Sequence, residues 1–152
     1  MHSESFIYQS ETEVLEAAAG FIKERFKRSE TFTSALDAQH FLNLRLGYQE
    51  REVFAALFLD SQHRLIEYQE LFFGTIDAAA VYPREVVKAA LDHNAAAVIF
   101  SHNHPSGVSQ PSQADIAITD KLKKALDLID VRTLDHIIIG EYTFSFAESG
   151  YL

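Results

Sequence analysis

Apolar residues recur at positions 14, 15, 18, 19, 22 and 26, and that spacing predicts an amphipathic helix over residues 11 to 27. Ser10 and Glu13 precede it in the pattern of a capping box. Ser34 and Asp37 open a second, shorter helix that carries Phe41 and Leu44. The pattern then changes. Residues 52 to 60, EVFAALFLD, are mostly apolar between polar ends, which predicts a buried strand. DSQHR turns the chain. Residues 65 to 73 read as a second strand stopped by Gly74, so an antiparallel hairpin is expected. A third, short strand is expected over 75 to 81.

Pro83 suits the first position of a helix, and REVVKAALDHN continues with helical spacing to a C-cap at Asn94. AAAVIF predicts a short buried strand ending at Ser101. A loop rich in Pro, Ser and Gly follows, and Ser112 with Asp115 opens a helix to about Leu128. VRTLDHIIIG and YTFSFA read as the last two strands. The order of elements predicts a mixed sheet with helices on its faces, an α/β or α+β fold. The leading helices are read as an N-terminal segment, residues 1–45, ahead of a main domain at 46–152. The pattern leaves open whether they share its core.

Composition narrows the chemistry. The 152 residues suit a single domain with one sizeable core. Hydrophobic residues make up 47% and charged residues 23%, which argues against a disordered chain. There is no cysteine, so disulfides and thiolate metal sites are excluded, and any transition metal must be held by His, Asp or Glu. The start, MHSESFIYQSETE, lacks the basic and apolar regions of a signal peptide, and no apolar run approaches the ~20 residues of a membrane span. A cytoplasmic location without a membrane partner is expected. The net charge is -9 and the 13 Lys and Arg are scattered, so direct nucleic-acid binding is not expected.

One stretch concentrates candidate chemistry: residues 101 to 115, SHNHPSGVSQPSQAD. Residues i and i+2 of an extended segment point the same way. The imidazoles of His102 and His104 can therefore converge at the end of the AAAVIFS strand while Asn103 points away. Pro105 stops the strand. A catalytic zinc usually has three protein ligands and one open position for water. Asp115, in the first turn of the next helix, is the candidate third ligand, and the helix N-terminus favours its ionised form. Ser112 and Asp115 read equally well as an N-capping pair. The order HxHP, short loop, SxxD is more specific than either half.

That order, H-x-H-P-x6-S-x-x-D, resembles the signature of the JAMM, or MPN-type, zinc metalloproteases. The stretches YPREVVKAAL, HNHPSG, PSQAD and LDHIIIG make the chain similar to the RadC-like subfamily, over roughly Leu42 to Leu152. Full-length RadC-like proteins often carry a helix-hairpin-helix segment ahead of this domain, and the chain looks like a short, stand-alone form. The resemblance implies an MPN-like mixed sheet flanked by helices, of cytidine-deaminase-like architecture. It implies one zinc ion on His102, His104 and Asp115, with Ser112 donating a hydrogen bond to the oxyanion of the tetrahedral intermediate. A glutamate would act as general base: Glu52 is favoured, with Glu70 and Glu50 as alternatives. The implied reaction is hydrolysis of a peptide or isopeptide amide in an unknown protein or peptide substrate. The alternative is a DNA-repair-associated accessory or binding protein without turnover. The deaminase pattern, HxE with PCxxC, is absent.

The remaining candidates have plainer expectations. His136, before an apolar run, is expected to be a core histidine or to support the ligands rather than to bind metal. His93 suits a helix C-terminus. His2, His40 and His63 are expected at the surface or in turns, and Lys121, Lys123 and Lys124 on a solvated helix face. Phe54, Phe58, Phe72 and Phe73 are expected in the core.

Overall fold

The computed structural model describes residues 7–29, 34–75 and 81–152. Two helices, α1 (Glu11–Ser29) and α2 (Ala35–Leu46), precede an antiparallel hairpin of β1 (Val53–Leu59) and β2 (Leu65–Phe73). Then come α3 (Pro83–Asp92), β3 (Ala97–Asn103), α4 (Gln113–Asp127), β4 (Arg132–Ile139) and β5 (Thr143–Ser145). Among the described residues the strands form one mixed sheet in the order β2-β1-β3-β4-β5. Of these strands only β3 and β4 run parallel, and α4 supplies the crossover that a parallel pair needs.

The apolar run of β1 is continuous because both of its faces are covered. Val53, Ala55, Leu57 and Leu59 face a core shared with Phe41, Leu42 and Leu46 of α2 and Ile22 of α1. Phe54, Ala56 and Phe58 face Val86, Ala89 and Ala90 of α3 and Ile118, Leu122 and Leu126 of α4. The helix α2 thus belongs to the same packed body as the sheet. No described helix is long and apolar enough to cross a membrane.

Several local features differ from the periodicity reading. The expected strand over 75 to 81 falls largely on residues 76–80, outside the described residues. The last strand is only Thr143–Ser145: the Phe146 N–H still donates to the His136 carbonyl, but the chain turns over residues 146–150. The cap of α3 is His93, and Asn94 follows it in the left-handed region at φ 52°, where Asn is tolerated. The strand expected to end at Ser101 runs on to Asn103, because it is paired to β4 as far as Ile139. Phe73 is not core: it is 53% exposed, with the Arg51 guanidinium over its ring.

Candidate metal centre

His102 belongs to β3, and His104 follows directly after that strand. The backbone N–H of His104 donates to the Ile139 carbonyl, which continues the line of β4 past the strand end. The chain then turns at Gly107, in the left-handed region at φ 88°. Gly140 makes room for this turn. A Cβ there would lie 2.7 Å from the Gly107 carbonyl oxygen and 3.1 Å from the Ser109 nitrogen. The turn places the Val108 carbonyl 2.6 Å from Nδ1 of His104. A carbonyl only accepts, so Nδ1 carries the proton and Nε2 faces inward.

Asp115 arrives on α4. Buried residues at 115, 118, 119, 122 and 126 form the inward stripe of that helix. Ser112 caps it: its Oγ accepts from the Asp115 N–H, and the Asp115 Oδ2 accepts from the Ser112 N–H at 2.8 Å. Capping and convergence on the histidines coexist in this one carboxylate. Its Oδ1 lies 3.3 Å from Nε2 of His102, and its Oδ2 lies 3.3 Å from Nε2 of His104. The two Nε2 atoms are 2.8 Å apart. His102, His104 and Asp115 are therefore a group able to hold a metal ion.

The electrostatics suit a cation. Burial would raise the Asp115 pKa, but contacts from His102 and His104 and the Ser112 N–H outweigh it and hold the carboxyl well below the usual carboxylate range. Asp115, in turn, raises His104 against the opposing effect of burial, with smaller contributions from the Val108 carbonyl and the charge of Glu52. Behind the triad, His102 Nδ1 lies 2.7 Å from Nε2 of His136. Complete burial, reinforced by the neighbouring His102, pushes His136 well below the ordinary histidine value and keeps it neutral. His136 touches a member of the triad and does not join it.

The carboxylates outside the triad occupy different places. Glu52 immediately precedes β1, and its carbonyl accepts from the Gly74 N–H. Its charge acts on His104. Glu70, on β2, pairs with Ala55 of β1. Burial and then the Glu70 charge raise the Tyr68 hydroxyl pKa, while Tyr48 is raised by burial and Glu16, with Glu70 a minor contributor. Glu50 is exposed and lines a cleft of about 450 Å³ beside His104, with Gly47, Pro105, Gly107 and Glu141. A larger cleft, about 660 Å³, lies along Ile116, Asp120, Lys123, Phe146 and Tyr151 and includes none of the triad. Ser112 is exposed, and its hydroxyl proton is not used by the cap, which needs only an acceptor.

Two residues stand out here that periodicity did not single out for a role. Asn103 points away from the triad, yet it is 2% exposed. Its Oδ1 accepts from the Val53 N–H at 2.7 Å, and its Nδ2 donates to the Gln49 and Arg51 carbonyls. It thus pins the segment carrying Glu52 to the strand carrying His102. An amide at the end of a fully buried strand is the one sequence trace of this clamp. Asn103→Ala orphans a buried N–H and is expected to cost about 2 kcal/mol of folding stability. Urea unfolding checks this, and a change within about 0.5 kcal/mol would exclude the clamp. The second residue is Thr119, a hydroxyl on the buried stripe of α4, four residues from Asp115.

The other histidines sit apart from the triad. His93 pairs with Gln69 at 3.0 Å and packs on Phe58. His63 occupies the β1–β2 turn at φ 61°, and His40 is exposed. Lys123 and Lys124 pair with Asp127 and Asp120 along the outer side of α4.

The family described as RadC-like JAB domain matches residues 32–151. A UPF0758 protein of Marinomonas sp. (strain MWYL1) is 62% identical over 138 residues, covering 90% of this chain and 62% of the relative. A UPF0758 protein of Vibrio cholerae is 57% identical over 142 residues, covering 93% of this chain and 90% of the relative. A third, from Marinobacter nauticus, is 55% identical over 139 residues and again covers 62% of the relative. The chain thus spans under two thirds of the Marinomonas and Marinobacter proteins and most of the Vibrio protein. With a match over the whole sheet and identities of this size, the chain belongs to the RadC-like JAB domain family.

Proposed function

We propose that the chain is a zinc-dependent metallohydrolase that cleaves an amide bond, peptide or isopeptide, with His102, His104 and Asp115 as the metal ligands. One observation carries the reading. Two imidazole Nε2 atoms and both oxygens of a carboxylate crowd into one buried corner, 2.8 to 3.3 Å apart. A neutral imidazole whose Nδ1 holds the proton offers only a lone pair at Nε2, and a carboxylate only accepts. Such a corner is stable around a cation. Two imidazoles and one carboxylate, with no thiolate in the chain, fit zinc with a position left open.

Zinc bound here would supply Lewis acidity, lowering the pKa of water toward 7 and polarising a carbonyl. The protein's own groups do the rest. Glu52, whose charge already acts on His104, would take a proton from the attacking water and pass it to the leaving amine. Ser112 has a hydroxyl proton free to donate to a developing oxyanion. The cleft beside His104, bordered by Glu50 and Glu141, would admit the substrate chain. The substrate is a protein or peptide, and the cytoplasm is the proposed location.

Proton competition gives a direct test. In the metal-free chain Asp115 holds the His104 pKa above its ordinary 6.5. The raised pKa means that this pairing stabilises the metal-free fold fully below pH 6.5, and that the contribution is lost as pH rises through the raised value. Zinc needs the same Nε2 deprotonated, so its affinity changes in the opposite direction, increasing as pH rises through that window. Zinc uptake near neutral pH is expected to release a proton, read by calorimetry in buffers of different ionisation enthalpy. Uptake with no buffer dependence would remove His104 from the ligand set.

A further inference from the structure

His102 is gripped from behind by a string of three hydrogen bonds that ends on the helix of Asp115. Thr119 Oγ1 lies 2.7 Å from the Asp115 carbonyl oxygen and 2.5 Å from Nδ1 of His136, and His136 Nε2 lies 2.7 Å from Nδ1 of His102. The direction of the string follows from its first bond. Two oxygens at 2.7 Å need a proton between them, and a carbonyl has none to give, so the Thr119 hydroxyl donates to Asp115. Thr119 has no second proton, so its oxygen accepts from His136 Nδ1–H. In the neutral ring Nε2 is then bare, and it accepts from His102 Nδ1–H.

We propose that His136 and Thr119 are positioning residues that lock the proton of His102 on Nδ1, so that its Nε2 always meets the metal site as a bare lone pair. The string also closes a ring. It starts at one member of the triad and returns to the backbone of another, Asp115, so the first and third ligands are held in one circuit. Serving a metal, the lock rests on the assignment of His102, His104 and Asp115 as ligands.

The string is buried. His102 and His136 are fully buried, and Thr119 is 2% exposed. Phe146 stacks on His136 at 4.7 Å, and Phe54 meets that ring edge-on at 5.5 Å. Phe54 also lies parallel to the His102 ring. His102 is fully buried beside Phe54, so a deleted partner leaves its Nδ1–H unpaired away from solvent, a cost that favours moving the proton or turning the ring. The geometry is a product of the fold: Phe100 pairs with His136 and Ile138 with His102 across the parallel strands, while Thr119 sits one turn after Asp115.

Two readouts test this. The first is the nitrogen-edited spectrum of the imidazoles in metal-free protein, at a pH where they are neutral. It is expected to show the His102 proton on Nδ1. A proton on Nε2 would overturn the lock. The second is zinc affinity, measured against a chromophoric chelator, beside urea unfolding of the metal-free chains. His136→Leu is expected to weaken zinc binding by about 10- to 100-fold. His136→Gln, which can accept from His102 and donate to Thr119, is expected to stay within about threefold of the parent. Thr119→Val is expected to weaken zinc and Thr119→Ser to restore it. Unchanged affinity in a folded His136→Leu chain, or equal losses in the Leu and Gln variants, would overturn the proposal. If His136→Leu does not fold, the spectrum and the Thr119 pair still decide. A parent chain that takes up no zinc defeats the ligand assignment, whereas the spectrum of that same chain decides the proton's place separately.

Discussion

Glu52→Gln is expected to keep one zinc per chain and to lower amide hydrolysis by roughly 10³-fold, the scale of a lost general base. Glutamine preserves the shape of the side chain and removes its proton-accepting oxygen. Zinc should stay because Glu52 lies outside the triad and reaches His104 through its charge. Losing that charge takes away one of the smaller influences that raise the His104 pKa, so zinc affinity should not fall through proton competition. Turnover can be followed without a known substrate, by counting new amino termini and released lysine branches in a cell extract treated with each chain. The parallel Glu70→Gln variant is the control. Glu70 sits across from Ala55 and its charge acts on Tyr68 and Tyr48, so its loss should leave turnover unchanged. If Glu70→Gln is the silent enzyme and Glu52→Gln the active one, the base has been misassigned.

His104→Ala should have the largest effect on the metal. One of the three proposed ligands is removed, and zinc affinity is expected to fall on the order of 10³-fold, leaving almost none after dialysis. This position separates binding from folding better than Asp115 does. The His104 side chain is 13% exposed, whereas Asp115 is buried and also closes the capping box of α4. The same loss appears in stability. A ligand at a hundred times its dissociation constant stabilises the fold by about 2.7 kcal/mol. Chelator should therefore lower the melting temperature of the parent by about 5–10 °C. The melting temperature of His104→Ala should not respond. Full zinc occupancy in His104→Ala would dismantle the triad and, with it, the proposed reaction.

How far the sequence could be read depends on the distance over which each feature is encoded. The helices were legible because their apolar stripes and caps are local: Ser34 and Ser112 both accept from the N–H three residues on. The hairpin was legible for the same reason, with Asp60 and Arg64 closing its turn. Strand ends were less legible. His102 and Asn103 look like the start of a polar loop, but β4 pairs with them and carries β3 to its full length. Phe73 reads as core by residue type alone. It lies exposed at the end of an edge strand, because the sheet has no further strand beyond β2 among the described residues.

The sequence by itself determined the class of fold and the chemistry available to a metal. Short continuous apolar runs and helical spacing specify a sheet with helices on its faces. The absence of cysteine restricts ligands to His, Asp and Glu, and the spacing of His102, His104 and Asp115 lies within one strand–loop–helix segment that a local reading can follow. The tertiary structure decided what surrounds that segment. It brought His136 from 34 residues away against His102, and set the hydroxyl of Thr119 behind it. It placed Asn103 against Val53, 50 residues apart, and so brought the segment bearing Glu52 beside the histidines, while Glu70 went to Tyr68. The physical reason is common to all of these. A helix or strand has a period that repeats along the chain, whereas a contact between strands depends on which elements pack together, and no local period encodes it.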